Sequence, residues 1–277
     1  MNQITILITT FELTQSDIVE KLAKMNLQAP FIVRNQNALE DSISQIVING
    51  FAGKIINVQN ERGASKNRNE LIRIAESKYF ILADDDISFK DGSLISLLEF
   101  IEQQRCDAVK YLVELPAIIG RNAPKNKPMN KKRLIYSDCT DVGPWAYCFS
   151  KDFVRNNNIF FLEDIGPGTE IIKAGEDVLF IKQAFRKGIN IVPFNQTIAS
   201  VAQTESTWFT GFNKNQLITE GGIYYLLYKP FHLFFYARHY MRFRKQYNLS
   251  FFCCLNYMKE GKEYAKSLLE KKWPYEL

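Results

Sequence analysis

Three consecutive carboxylates, Asp84, Asp85 and Asp86, close an apolar run (Tyr79, Phe80, Ile81, Leu82, Ala83) that reads as a buried strand. Adjacent acids repel one another unless something positive sits among them. A hard divalent cation on a phosphate-bearing substrate meets that need, since Mg²⁺ takes oxygen ligands and is held by one or two carboxylates plus substrate phosphates. An acidic surface turn is the bland alternative. A second acidic pair, Glu176-Asp177, stands about ninety residues on, after Gly166-Pro167-Gly168 and Gly175. It opens a helical pattern (Val178, Leu179, Ile181, Ala184, Phe185) that stops at Lys187-Gly188, and a helix N-terminus favours ionised carboxylates. Read alone, such a pair is only a cap.

The elements that carry these acids alternate. Strands are expected at about 4–9, 30–33, 54–58 and 79–83, with helices at about 16–25, 66–77 and 92–104. Ser16 and Asp17 are the expected cap of the first helix. A strand over 143–150 and a short helix or turn over 151–158 follow. Such alternation predicts an α/β fold with a largely parallel sheet, in which ligands bind beyond the carboxyl ends of the strands. Asp84–Asp86 stands at one such end. The basic segment 121–133, with six Lys or Arg, two Pro and no acid, reads as a loop, either a lid over substrate or a solvated insertion.

The chain has 277 residues, 46% hydrophobic and 23% charged, a globular composition. Net charge is +5, and from Gly221 onward ten Lys or Arg stand against four Asp or Glu, so the tail carries the surplus. Five cysteines without a CxxC pair argue against a disulfide framework or zinc site and for a reducing, cytoplasmic setting. The first residues enter a strand directly with no secretory signal, and no apolar run reaches the length of a membrane span.

Four blocks together resemble family 2 glycosyltransferases of the GT-A fold: ITTFEL (8–13), GASKNRNELIRIAESKYFILADDDI (63–87), GPGTEIIKAGEDVLF (166–180) and the glycine turn and strand at 187–192. The resemblance covers roughly residues 2–200 and implies a Rossmann-like, mostly parallel sheet flanked by helices, with a helical C-terminal extension. The catalytic region is expected over 1–215, and the composition of the tail marks 216–277 as a basic, aromatic, helical region for membrane-surface or dimer contact. Thr9 and Phe11 would line the nucleoside pocket. Arg68 and Asn69 match basic and amide positions near the nucleotide. Asp84 would bind ribose or the metal shell, Asp85 is the variable middle position, and Asp86 would ligate Mn²⁺ or Mg²⁺ at the diphosphate. Asp177 is the first choice of general base and Glu176 the second. Trp145 would sit near the acceptor or donor sugar, with the 166–168 turn shaping the wall beside it.

The implied reaction is transfer from a nucleotide-sugar, UDP- or dTDP-linked, to a hydroxyl on a saccharide or lipid-linked acceptor, with inversion, in bacterial surface polysaccharide or glycolipid synthesis. Two departures stand out. Many members end the second strand in an Asp that reads the base, whereas this chain has Arg34 and Asn35, of which Asn35 is the substitute. A downstream His that others use as a metal ligand is replaced by SVAQTES at 200–206; Ser206-Thr207-Trp208 reads either as an acceptor contact or as a buried Trp after a strand. His232 and His239 are expected at the surface of the tail.

Residues 223–247 interleave aromatics with Lys229, Arg238, Arg242, Arg244 and Lys245, a pattern suited to a membrane interface on the inner face of the cell membrane. A helical pair on the catalytic domain or a homodimer contact is the alternative; nucleic acid is disfavoured for want of a binding module. Cys253-Cys254 reads as two small buried hydrophobes rather than an acylation site. Rival classes are a haloacid-dehalogenase-like phosphatase, whose motif Asp84, Asp86 and Ser88 imitate, and a non-catalytic membrane-surface scaffold. An EF-hand begun at Asp84 fails, since it would need Gly at Phe89 and Glu at Ile95.

Overall fold

The computed structural model describes residues 3–115, 127–201 and 211–270. They form two compact units, the first drawn from 1–62, 66–159 and 184–205 and the second from 63–65, 160–183 and 206–277. Part of the basic loop (121–126) and the 202–210 stretch with Ser206-Thr207-Trp208 lie outside the described residues.

The first unit is built on nine strands: β1 (Ile4–Phe11), β2 (Phe31–Gln36), β3 (Ser42–Ile48), β4 (Phe51–Val58), β5 (Tyr79–Asp84), β6 (Ile87–Phe89), β7 (Ala108–Glu114), β8 (Tyr147–Ser150) and β9 (Ile191–Val201). They make one sheet in the order β3-β4-β2-β1-β5-β8-β7-β9-β6. The run β4-β2-β1-β5 is parallel, as strand–helix alternation predicts. Beyond it the sheet is mixed: β7 and β9 are parallel, while β3/β4, β5/β8, β7/β8 and β6/β9 are antiparallel. Ile6, Leu7, Ile8, Val33, Ile55, Phe80 and Ile81 are fully buried, which is why the central strands read as continuous apolar runs.

The helices are α1 (Gln15–Lys24), α2 (Ala64–Ile74), α3 (Ser93–Gln103), α4 (Lys151–Asn156), α5 (Glu176–Arg186), α6 (Lys214–Tyr228), α7 (His232–Tyr247) and α8 (Phe251–Glu270). The cap of α1 is Thr14 rather than Ser16. Its hydroxyl accepts from the Asp17 amide while Asp17 accepts from the Thr14 amide, a closed capping box.

Apolar clusters of described residues hold the second unit. One joins Leu162, Ile165, Ile172 and Leu179 to Ile223, Leu226, Ala265 and Leu268; another gathers Leu217, Tyr236, Tyr247, Cys254 and Met258. Helices α6 and α8 meet backbone to backbone: a Cβ on Gly261 would lie 1.8 Å from the Ile218 carbonyl oxygen, and one on Gly221 2.2 Å from that of Met258. The tail is not one helix, because Pro230 cannot donate to a continuing ladder and α6 stops at Tyr228. Its aromatics largely turn inward. His239, expected at the surface, is buried between the Tyr224 and Tyr247 hydroxyls at 3.0 Å each, and burial with Arg242 alongside lowers its pKa to about 4. No helix among the described residues is long and apolar enough to cross a membrane.

Candidate active site

Parallel pairing brings the carboxyl ends of β1, β2 and β5 to one end of the sheet. The register sets Thr9 of β1 opposite both Arg34 of β2 and Asp84 of β5. The Thr9 hydroxyl donates to Asp84 Oδ1 at 3.0 Å, and Arg68 of α2 reaches the same oxygen at 3.2 Å. Arg68 is 6% exposed and Asn69 fully buried, although they belong to the polar run SKNRN. Burying such a run is unfavourable unless each group is bonded, so the helix is held in place by polar contacts as well as apolar ones.

The three aspartates have different surroundings. Asp84 is held by Thr9 and Arg68. Asp85 pairs with Lys21 at 3.3 Å, yet burial still raises its pKa. Asp86 has no ion pair among the described residues; burial, then repulsion from Asp84 and Asp85, pushes its carboxyl up to about 6. Such a group gains most from a bound cation. The donor set is all oxygen, and no cluster of three or more His, Cys, Asp or Glu able to hold a metal occurs among the described residues. Two carboxylates fit a hard cation that draws its other ligands from phosphate and water, and do not make a self-sufficient metal cage.

Phe11, at the end of β1, is 39% exposed, and the Arg62 guanidinium lies over its ring at 5.6 Å. That leaves an aromatic face and a cation beside it. Asn35 has another role from the one expected of it. It is fully buried, its Oδ1 accepts from the Thr10 hydroxyl and the Leu13 amide, and its Nδ2 donates to the Leu13 carbonyl and Asn57. An amide makes four such bonds at most, so none is left for a nucleobase. Trp145 sits half-buried in the 3₁₀ turn Pro144–Ala146, its carbonyl accepting from the Tyr111 hydroxyl at 2.7 Å. Its indole nitrogen occupies the space a Cβ on Gly143 would need, 2.4 Å away.

Sequence reasoning missed the network behind this surface. Arg34, 7% exposed, bonds Glu61 and, at 3.0 Å, the Asn67 side chain; Glu61 also takes Lys66 at 2.8 Å and Gln36 at 2.8 Å. Burial alone would raise the Glu61 pKa, but these bonds from Arg34, Gln36 and Lys66 hold it at about 2. The signal was available: an arginine inside a strand needs a carboxylate, and Glu61 stands just before α2.

Glu176 and Asp177 open α5 and belong to the second unit. Gly175 before them has φ +93°, and a Cβ there would meet Ile223 at 2.5 Å, so only glycine allows α5 to start at this point. Glu176 is 4% exposed and packs on the turn at Gly166, where a Cβ would lie 2.9 Å from its carboxyl carbon. That turn is tied by Ser65 Oγ to the Ile165 carbonyl at 2.5 Å and by Thr169 Oγ1 to the Ile172 carbonyl at 2.8 Å. Asp177 is the more open of the two acids.

Solved structures share this fold at low identity. TarS 1–349 from S. aureus in complex with UDP-GlcNAc matches with a TM-score of 0.59 at 15% identity, over 82% of this chain and 67% of that one. The complex of the same fragment with UDP gives 0.55 at 15%, over 82% and 66%. A further structure of S. aureus TarS gives 0.55 at 16%, over 80% of this chain but 39% of that one. This chain thus spans about two thirds of the fragment and well under half of the longer TarS chain. No curated protein matches it. The model of Glycosyl transferase family 2 matches residues 17–164, a little over half of the 277 residues, including the strand that ends in Asp84. With the GT-A-like sheet and the acids at the end of β5, the chain belongs to glycosyl transferase family 2 and is a glycosyltransferase.

Proposed function

We propose that this enzyme moves a sugar from a nucleotide-diphosphate donor, UDP- or dTDP-linked, to a hydroxyl of a saccharide or lipid-linked acceptor, with Mn²⁺ or Mg²⁺ and with inversion. One observation carries the reading: Asp84 is fixed by Thr9 and Arg68 while Asp86, desolvated beside two like charges, is left for a cation. A divalent ion there would neutralise the departing diphosphate. Asp86 and Asp84 are its proposed ligands. Phe11 and Thr9 line the nucleoside side, with Arg68 and Asn69 near the nucleotide and Trp145 near a sugar. Asp85, tied to Lys21, is a supporting residue beside them.

Asp177 accepts the acceptor hydroxyl's proton, assistance typically of about 10²–10⁴-fold. It is preferred to Glu176, whose carboxyl is packed against the Gly166 turn. TarS was crystallised with UDP-GlcNAc and with UDP, which supports a UDP-sugar as the first donor to try. The pathway in this reading is bacterial surface polysaccharide or glycolipid synthesis. The enzyme works in the cytoplasm, peripheral to the inner face of the membrane, with 1–215 as the catalytic region and 216–277 as its appended contact region.

A panel of nucleotide-sugars with Mn²⁺, read as nucleoside diphosphate release, tests the reaction. Asp177→Asn should abolish transfer and keep metal-dependent UDP binding; Asp86→Asn should lose that binding. Full transfer by Asp177→Asn would refute the base assignment, and UDP binding indifferent to metal would refute the cation site.

A further inference from the structure

Helix α7 has two faces of opposite character. Tyr236, His239 and Tyr247 point inward and are buried. The opposite side exposes Phe234, Arg238, Met241, Arg242 and Lys245, which at 3.6 residues per turn fall in an arc of about 100°. Phe231, in the 3₁₀ turn just before α7, extends it. The exposure of the apolar members is large: 71% for Phe231, 66% for Phe234 and 68% for Met241. Soluble surfaces rarely gather such residues without a partner.

The charge on this face selects the partner. From residue 221 to 259 there are six Lys or Arg and no Asp or Glu. A second copy of the chain meeting this face about a two-fold axis would set Arg238, Arg242 and Lys245 against their own images with no acid in the segment to intervene. A nucleic acid would find aromatic platforms only in Phe231 and Phe234 at one end of the face, whereas Met241, set among the cations, offers no ring on which a base can stack. Apolar tips among cations are what the boundary between anionic headgroups and acyl chains accepts.

We propose that the outer face of α7 docks on an anionic lipid surface, Phe231, Phe234 and Met241 entering the headgroup region and Arg238, Arg242 and Lys245 pairing with lipid phosphates. This deepens the peripheral-membrane part of the proposed function and rests on that part alone. The contact needs no nucleotide, metal or acceptor.

Flotation of the full chain with phosphatidylcholine vesicles, with and without phosphatidylglycerol, tests it. Binding should require phosphatidylglycerol and weaken with salt. Each basic residue near such a surface contributes about fivefold, so Arg238→Gln/Arg242→Gln/Lys245→Gln should lose roughly 100-fold in partitioning. Phe231→Ser/Phe234→Ser/Met241→Ser should also lose binding although every charge is kept. Both variants should retain the parental thermal midpoint and donor turnover with a soluble acceptor, which separates loss of docking from failure to fold. Equal binding to neutral vesicles, or binding unchanged in both variants, overturns the proposal. So does a dimer that the serine variant dissociates, or retention of polyuridylate in place of vesicles. Donor turnover that fails while vesicles still bind would count against the transfer reaction and leave the docking face standing.

Discussion

Replacing Glu61 with Gln removes the one acid that Arg34, Lys66 and Gln36 share. The Arg34 and Glu61 side chains are 9% and 12% exposed, so the lost charge leaves a nearly buried guanidinium facing only neutral acceptors, the Asn67 side chain and the new amide oxygen at position 61. Breaking a buried pair in this way costs about 3–5 kcal/mol, and access of water to Glu61 and the surviving Asn67 bond lower that figure. A second route agrees. Holding a carboxyl at about 2 instead of 4.5, at about 1.36 kcal/mol per pH unit, bounds the contribution near 3 kcal/mol before solvent screening. We therefore expect Glu61→Gln to lose about 2–3 kcal/mol, or about 4–12 °C in Tm at about 2–4 °C per kcal/mol. The sign with pH follows from the depressed pKa: the contribution is complete above 4.5 and vanishes as pH falls through about 2. Thermal unfolding of both proteins at stepped pH should show the gap closing across that window. A gap that stays constant down to pH 2.5, or a loss below about 1 kcal/mol at pH 7, would refute the reasoning.

Gly261→Ala should be among the most damaging single-methyl changes in the tail, costing at least the 1–3 kcal/mol typical of overpacking because a Cβ would collide with the Ile218 carbonyl; limited proteolysis would show α8 released. The second unit should lose stability as pH falls from 6.5 through about 4, since an unfolded chain protonates His239 before the folded one does. His239→Gln should remove that dependence, and denaturant midpoints at several pH values would reveal it. In calorimetric titration with UDP present, Mn²⁺ affinity should drop by up to about tenfold per pH unit below about 6, because Asp86 must shed a proton to bind; an affinity that Asp86→Asn leaves with the same pH dependence would remove Asp86 as a ligand.

What the sequence disclosed follows from how each element is stabilised. The runs at β1 and β5 are buried on both faces, so their composition alone marks them, and the acids at their ends could be placed with them. Of the β3/β4 hairpin, apolar run length marks only a strand at 54–58, although Asn49-Gly50 between two alternating runs is a strong turn signal. Both residues take the left-handed backbone that a tight hairpin needs, with φ of 52° and 81°. Asn35 looked like a ligand group because its type fits one; only the positions of Leu13, Thr10 and Asn57 reveal that its bonds are used. The inward turn of the tail aromatics was equally hidden, since Tyr236 and Phe234 differ in burial by their place on the helix and not by chemistry.

The path of the chain through its second unit has a practical consequence. Apolar residues at 162–179 find their cover in Ile223, Leu226, Ala265 and Leu268, supplied by sequence made later. On the ribosome, the α5 region therefore waits, greasy and uncovered, until α6 and α8 emerge. A chain cut near residue 215 would be left in the same condition, prone to clumping and to chaperone capture. Dissection of this enzyme belongs to point changes on its surface, not to truncation.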